Sequence, residues 1–109
     1  VKLPTHIRFE IAAINDLCID IGLAGKYEAR ADLVTGPKLF VLDVTTCPVG
    51  SARTADDCER HSCTLGRLTV PGWGNLTPER ALELVREELA ETIQHLERLR
   101  AETQEGQPS

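Results

Sequence analysis

Leu82, Val85, Leu89, Ile93, Leu96 and Leu99 recur three and four residues apart. That spacing gathers all six on one stripe of an α-helix, and no strand can do the same. Thr77 offers a capping hydroxyl, Pro78 suits the first helical position and Glu79 faces the positive helix end. A helix is therefore predicted over 77–103, roughly 40 Å long at 1.5 Å per residue. A strand of eight residues covers only about 27 Å. A chain of 109 residues that carries so long an amphipathic helix must offer it a second layer. The distal turns are expected to overhang that layer, and either to fray or to pack on a second copy as a homodimer seam. Glu83, Glu87 and Glu91, with Glu88 beside them, read as the solvated face.

The rest of the chain supplies a sheet. Ile7, Ile11, Ile14 and Cys18 mark an amphipathic helix over 5–18, and Gly22 and Gly25 provide its exit. Residues 26–35 alternate Tyr27, Ala29, Ala31 and Leu33 with Glu28, Arg30 and Asp32, the pattern of a half-buried strand. The Thr35-Gly36-Pro37-Lys38 turn joins it to a second strand, 39–46. Residues 47–62 hold Pro, Gly, Ser and Asp and read as a loop, 63–70 as a third strand, and 71–75 as a turn. The expected class is α+β: an antiparallel sheet with an N-terminal helix and an added long C-terminal helix. The core unit is 1–76, the helix 77–103, and 104–109 a polar tail.

The net charge of −5 speaks against a nucleic-acid footprint and against an anionic membrane surface. No apolar run reaches the roughly 20 residues of a membrane span. With four aromatic residues, the core must rest on Leu, Ile, Val and Ala, and a covalent staple would help it. Three of the four cysteines and one histidine fall within 45–63. Four cysteines in a short chain fit a secreted, disulfide-bonded domain. A zinc site of Cys47, Cys58, His61 and Cys63 is the alternative, although the gap between Cys47 and Cys58 is not a knuckle spacing. It would make the chain an intracellular regulatory or assembly protein, dimerising through the C-terminal helix. Cys63 with His61 as a catalytic thiol lacks an orienting third residue. No catalytic residue and no cofactor is assigned, and the chain is read as no enzyme. His6 and His95 read as solvated. Asn75-Leu76-Thr77 is a glycosylation sequon, although Thr77 also caps the helix.

The order of elements, with "DLVTG" ending one strand, "KLFVLDV" in the next, then "TTC", a loop, "DC" and "VPGWG", resembles the cystatin superfamily over about 6–74. The resemblance implies an antiparallel sheet wrapped around one helix. It implies a non-enzymatic, secreted or extracellular module whose protein partner is a papain-like cysteine protease, blocked without covalent chemistry. The contact loops would be Leu33, Val34, Thr35 and Gly36, with Pro71, Gly72, Trp73 and Gly74, and Trp73 as their anchor. It also implies a Cys47–Cys58 disulfide, after which Cys18 and Cys63 could meet across the core as a second bridge. Asp32 stands where the family has Gln, Gly72 separates Pro71 from Trp73, and the family's last strand is replaced by the long helix. Many cystatin-like domains act as partner-binding scaffolds without inhibiting a protease.

Overall fold

The computed structural model describes residues 3–50, 56–69 and 76–105. Helix α1 spans Thr5–Ala24. Its buried stripe of Ile7, Ile14, Leu17, Cys18 and Ile21 continues the predicted period beyond residue 18. Gly25, at φ 85, ends the helix in the left-handed conformation that glycine tolerates, and its N–H reaches the Gly22 carbonyl. Strands β1 (Tyr27–Thr35), β2 (Phe40–Pro48) and β3 (Glu59–Thr64) form an antiparallel sheet in the order β1-β2-β3. After the short α2 (Gly66–Thr69) comes α3 (Pro78–Glu105). The fold is α+β, as expected: an N-terminal helix, a three-stranded open sheet and a long C-terminal helix.

The register explains the packing. Tyr27 pairs with Pro48 and Thr35 with Phe40 across the hairpin, while Thr46 pairs with Glu59 and Val41 with Thr64 across β2 and β3. Alternation then turns Ala29, Ala31, Leu42, Val44 and Cys63 toward the helices. They join Ile7, Ile14, Ile21, Leu65, Val85, Leu89 and Leu96 in a single core. The six-residue stripe of α3 is therefore used within the chain: Val85, Leu89 and Leu96 are fully buried, and Leu82, Ile93 and Leu99 pack on the same cluster. Thr77 caps α3 as predicted, its hydroxyl accepting the Arg80 N–H at 3.2 Å.

Three local expectations change. The third strand runs over 59–64 rather than 63–70, so the stretch 47–62 is not all loop. Cys47 and Pro48 close β2, residues 59–62 lie in β3, and 66–69 are helical. The physical reason is that Leu65 enters the core and Gly66, also buried, opens α2, which turns the chain off the sheet after Thr64. The distal turns of α3 do not overhang. They run along α1 and the hairpin base: Thr103 is buried, Arg100 pairs with Asp20 at 3.6 Å, and Tyr27 donates to Glu102 at 3.2 Å. Glu88 is not simply solvated either, since it pairs with Arg67 and accepts the Thr64 N–H at 3.3 Å.

Candidate metal centre

β3 is polar for most of its length, and its alternation decides what those polar groups do. Glu59, His61 and Cys63 face the helices, while Arg60 and Ser62 face away, where they meet Asp43 of β2. In register, Thr46 stands opposite Glu59 and Val44 opposite His61. Helix α3 crosses this face. Thr92 comes within 3.5 Å of the Cys63 sulfur, and three residues on, His95 lies over Thr46 and Glu59.

Both ring nitrogens of His95 are engaged. Nδ1 lies 3.0 Å from Glu59 Oε2, and Nε2 lies 2.9 Å from Thr46 Oγ1. The ring of His61 stands 4.6 Å from that of His95, tilted by 31°. Its Nε2 is 3.7 Å from the same Glu59 oxygen. His95 and Thr46 are each only 3% exposed, whereas the Glu59 side chain is 60% exposed and opens the cluster to solvent. A cavity of about 350 Å³ adjoins it, lined in part by Tyr27, Thr46, Glu59 and Arg98. Burial pushes the His95 pKa below its ordinary value. The Glu59 carboxylate opposes that shift, and His61 and Arg98 add to it. Burial thus favours the neutral ring. Since a carboxylate only accepts, the Nδ1 hydrogen goes to Glu59 and the Thr46 hydroxyl donates to Nε2.

Glu59, His61 and His95 each present one ligand atom, and the three atoms lie within 4.8 Å of one another. Zinc bonds of about 2.0–2.1 Å set neighbouring tetrahedral ligands about 3.3–3.4 Å apart. The separations of 3.0 and 3.7 Å to Glu59 Oε2 bracket that edge. A cation here would replace the Nδ1 proton. The proton would then sit on Nε2, and the Thr46 hydroxyl would rotate to accept it, giving the outer partner a ligating imidazole needs. The groups Thr46, His95 and Glu59 also follow the order of a nucleophile relay. Thr46 is 3% exposed and its hydroxyl is taken up by His95 Nε2.

Of the zinc ligands predicted from sequence, only His61 belongs to this cluster. Cys47 and Cys58 are bonded to each other, so their sulfurs are not thiolate ligands. Cys63 is buried against Thr92. Cys18 and Cys63 do not form the expected second bridge. Both are unbonded thiols held within the core, and burial pushes both pKa values up. The predicted contact loop at 33–36 is strand through Thr35, with only Gly36 beyond it. Pro71, Gly72, Trp73, Gly74 and Asn75 lie outside the described residues.

Sequence reasoning did not find Glu59 or Thr46, and it read His95 as solvated, whereas the ring is 3% exposed and packed over Thr46. The signal for His95 was available, because it falls three residues after Thr92 and four before Leu99, on the buried side of the stripe. Comparison with known families, curated proteins and solved structures returned no match.

Proposed function

We propose that the protein is an extracellular, disulfide-stapled binding module that holds a transition-metal cation, zinc foremost, at Glu59, His61 and His95. One observation carries this reading. A single carboxylate oxygen lies 3.0 and 3.7 Å from two imidazole nitrogens, and the buried ring's other nitrogen is engaged by Thr46. Imidazole and carboxylate together suit zinc, and three protein ligands leave its fourth position to solvent or to a partner's group. Zinc titration of the oxidised protein by calorimetry tests it. One ion per chain should bind, and His61→Ala and Glu59→Gln should each weaken binding by roughly tenfold or more. Both side chains are partly exposed, so the variants should fold. Unchanged affinity in both would end the reading.

A second reading, a protein partner held at the hairpin, is favoured by Leu33, Val34 and Leu39, which are half-exposed at its closed end. In its most specific form the partner is a papain-like cysteine protease. A papain inhibition assay decides that form. The Leu33→Asp/Val34→Asp variant should lose inhibition, and a wild-type chain without inhibition would remove the wedge.

A further inference from the structure

The disulfide lies one residue away from two of the four groups that build the centre. Cys47 follows Thr46 and Cys58 precedes Glu59, and Thr46 faces Glu59 at the terminal pair of the β2–β3 ladder. The Cys47–Cys58 bond therefore closes the ladder just beyond its last pair. The two sides of that closure are unequally held. The end of β2 is flanked by β1, through the Tyr27–Pro48 pair and the Val49 N–H bonded to the Lys26 carbonyl at 3.0 Å. β3 is a six-residue strand at the sheet edge. Its far end is anchored by buried Cys63 and Leu65, but Glu59 and Arg60 at its near end are exposed. Without the disulfide, Glu59 would be held over His95 chiefly by the last ladder bonds, and strand ends open most readily.

Resting on the metal reading above, we propose that the Cys47–Cys58 disulfide gates the metal centre. When oxidised, it fixes Glu59 against His95 and His61. When reduced, it releases the near end of β3, and the cation is held more weakly. A dithiol supplies the two electrons and two protons. The sulfur–sulfur bond breaks, Cys47 and Cys58 become thiols, and the dithiol closes to its own disulfide. Linkage makes the effect reciprocal, so a cation that prefers the oxidised form must also make the disulfide harder to reduce by the same factor.

The test is zinc titration of the full chain in three forms: oxidised, reduced and freed of reductant without air, and carrying Cys47→Ser with Cys58→Ser. The oxidised form should bind at least tenfold more tightly than either of the others. At free zinc high enough to saturate both the oxidised and the reduced forms, the disulfide potential should fall by about 30 mV for a tenfold difference. Equal or tighter binding by the reduced protein overturns the proposal. Tighter binding by reduced wild type but not by the serine variant would mean that the thiolates join as ligands, which overturns it too. If the serine variant fails to fold by circular dichroism, the potential of the wild-type disulfide with and without zinc decides, and no shift overturns the proposal. Failure of zinc to bind the oxidised protein would instead remove the metal reading itself, and this inference with it.

Discussion

Thr46→Val removes one hydroxyl and keeps the shape of the side chain. Thr46 and His95 are each 3% exposed, and the hydroxyl is the partner of His95 Nε2 at 2.9 Å. With the metal absent, valine leaves a buried imidazole nitrogen without a donor. An unsatisfied buried group costs about 1–3 kcal/mol. The added methyl returns part of that through apolar burial, which leaves a net loss of about 1–2 kcal/mol. Thr92→Val is the matched control. Its hydroxyl is also buried, but it donates to the Glu88 carbonyl of its own helix at 2.8 Å. That carbonyl keeps its helical bond, and the Cys63 thiol, 3.5 Å from the hydroxyl, is only a weak donor, so the loss should stay below about 0.5 kcal/mol. Urea and thermal unfolding at about pH 8, with the disulfide intact and a chelator present, measure both. The Thr46 variant should melt roughly 4–15 °C lower, and the Thr92 variant should stay near wild type. Combining Thr46→Val with His95→Leu removes both partners, and Glu59 stays solvated. The pair should then sit closer to wild type than the sum of the single losses. A Thr92 loss equal to or larger than the Thr46 loss would refute this account of the cluster.

Thiol titration in denaturant should count two thiols before reduction and four after it. In the native state Cys18 and Cys63 should react slowly, because burial raises their pKa values and shields them. A denatured count of zero without reductant would restore the second bridge. Asp43 is held below the ordinary carboxylate range by the Ser62 hydroxyl first and by Arg60 next. A depressed carboxylate adds stability above its unfolded pKa and loses it as pH falls through its folded value. The urea midpoint should therefore fall more steeply toward low pH in wild type than in Ser62→Ala, and parallel curves would remove Asp43 as the cause. Leu89→Ala empties a fully buried site between α3 and the sheet and should cost about 2–5 kcal/mol. A loss under about 1 kcal/mol would mean that α3 does not belong to this core.

What could be read from the sequence follows from how continuous each pattern is. The α3 stripe holds its period from Leu82 to Leu99 with Thr77 at its head, and a helix is the only element that unites those residues. The hairpin is written in the β-branched run before Cys47 and in the Gly36-Pro37 turn. β3 has no such pattern. Glu59, Arg60 and Ser62 resemble loop residues, and they form a strand because β2 and the disulfide offer them a ladder. The candidate site was hidden for the same reason. Its residues come from a strand without an apolar signature and from a helix more than thirty residues later, and only the tertiary register joins them.

The position of the cluster argues against a purely structural role. Along β3 the inner face passes from buried Cys63 through half-buried His61 to exposed Glu59, and α3 runs beside it from Leu89 through Thr92 to His95. A domain this short of core would gain by sealing that edge with apolar side chains, since buried polar networks rarely add net stability over a well-packed hydrophobic equivalent. Instead, a neutral imidazole is buried with one nitrogen held by a hydroxyl that can either donate or accept. Its other nitrogen faces a carboxylate that opens to solvent. Those are the requirements for moving the ring proton from Nδ1 to Nε2 and leaving Nδ1 to a cation, and packing alone does not ask for them. The net charge of −5 favours cation capture from outside, by drawing cations to the surface on which Glu59 lies.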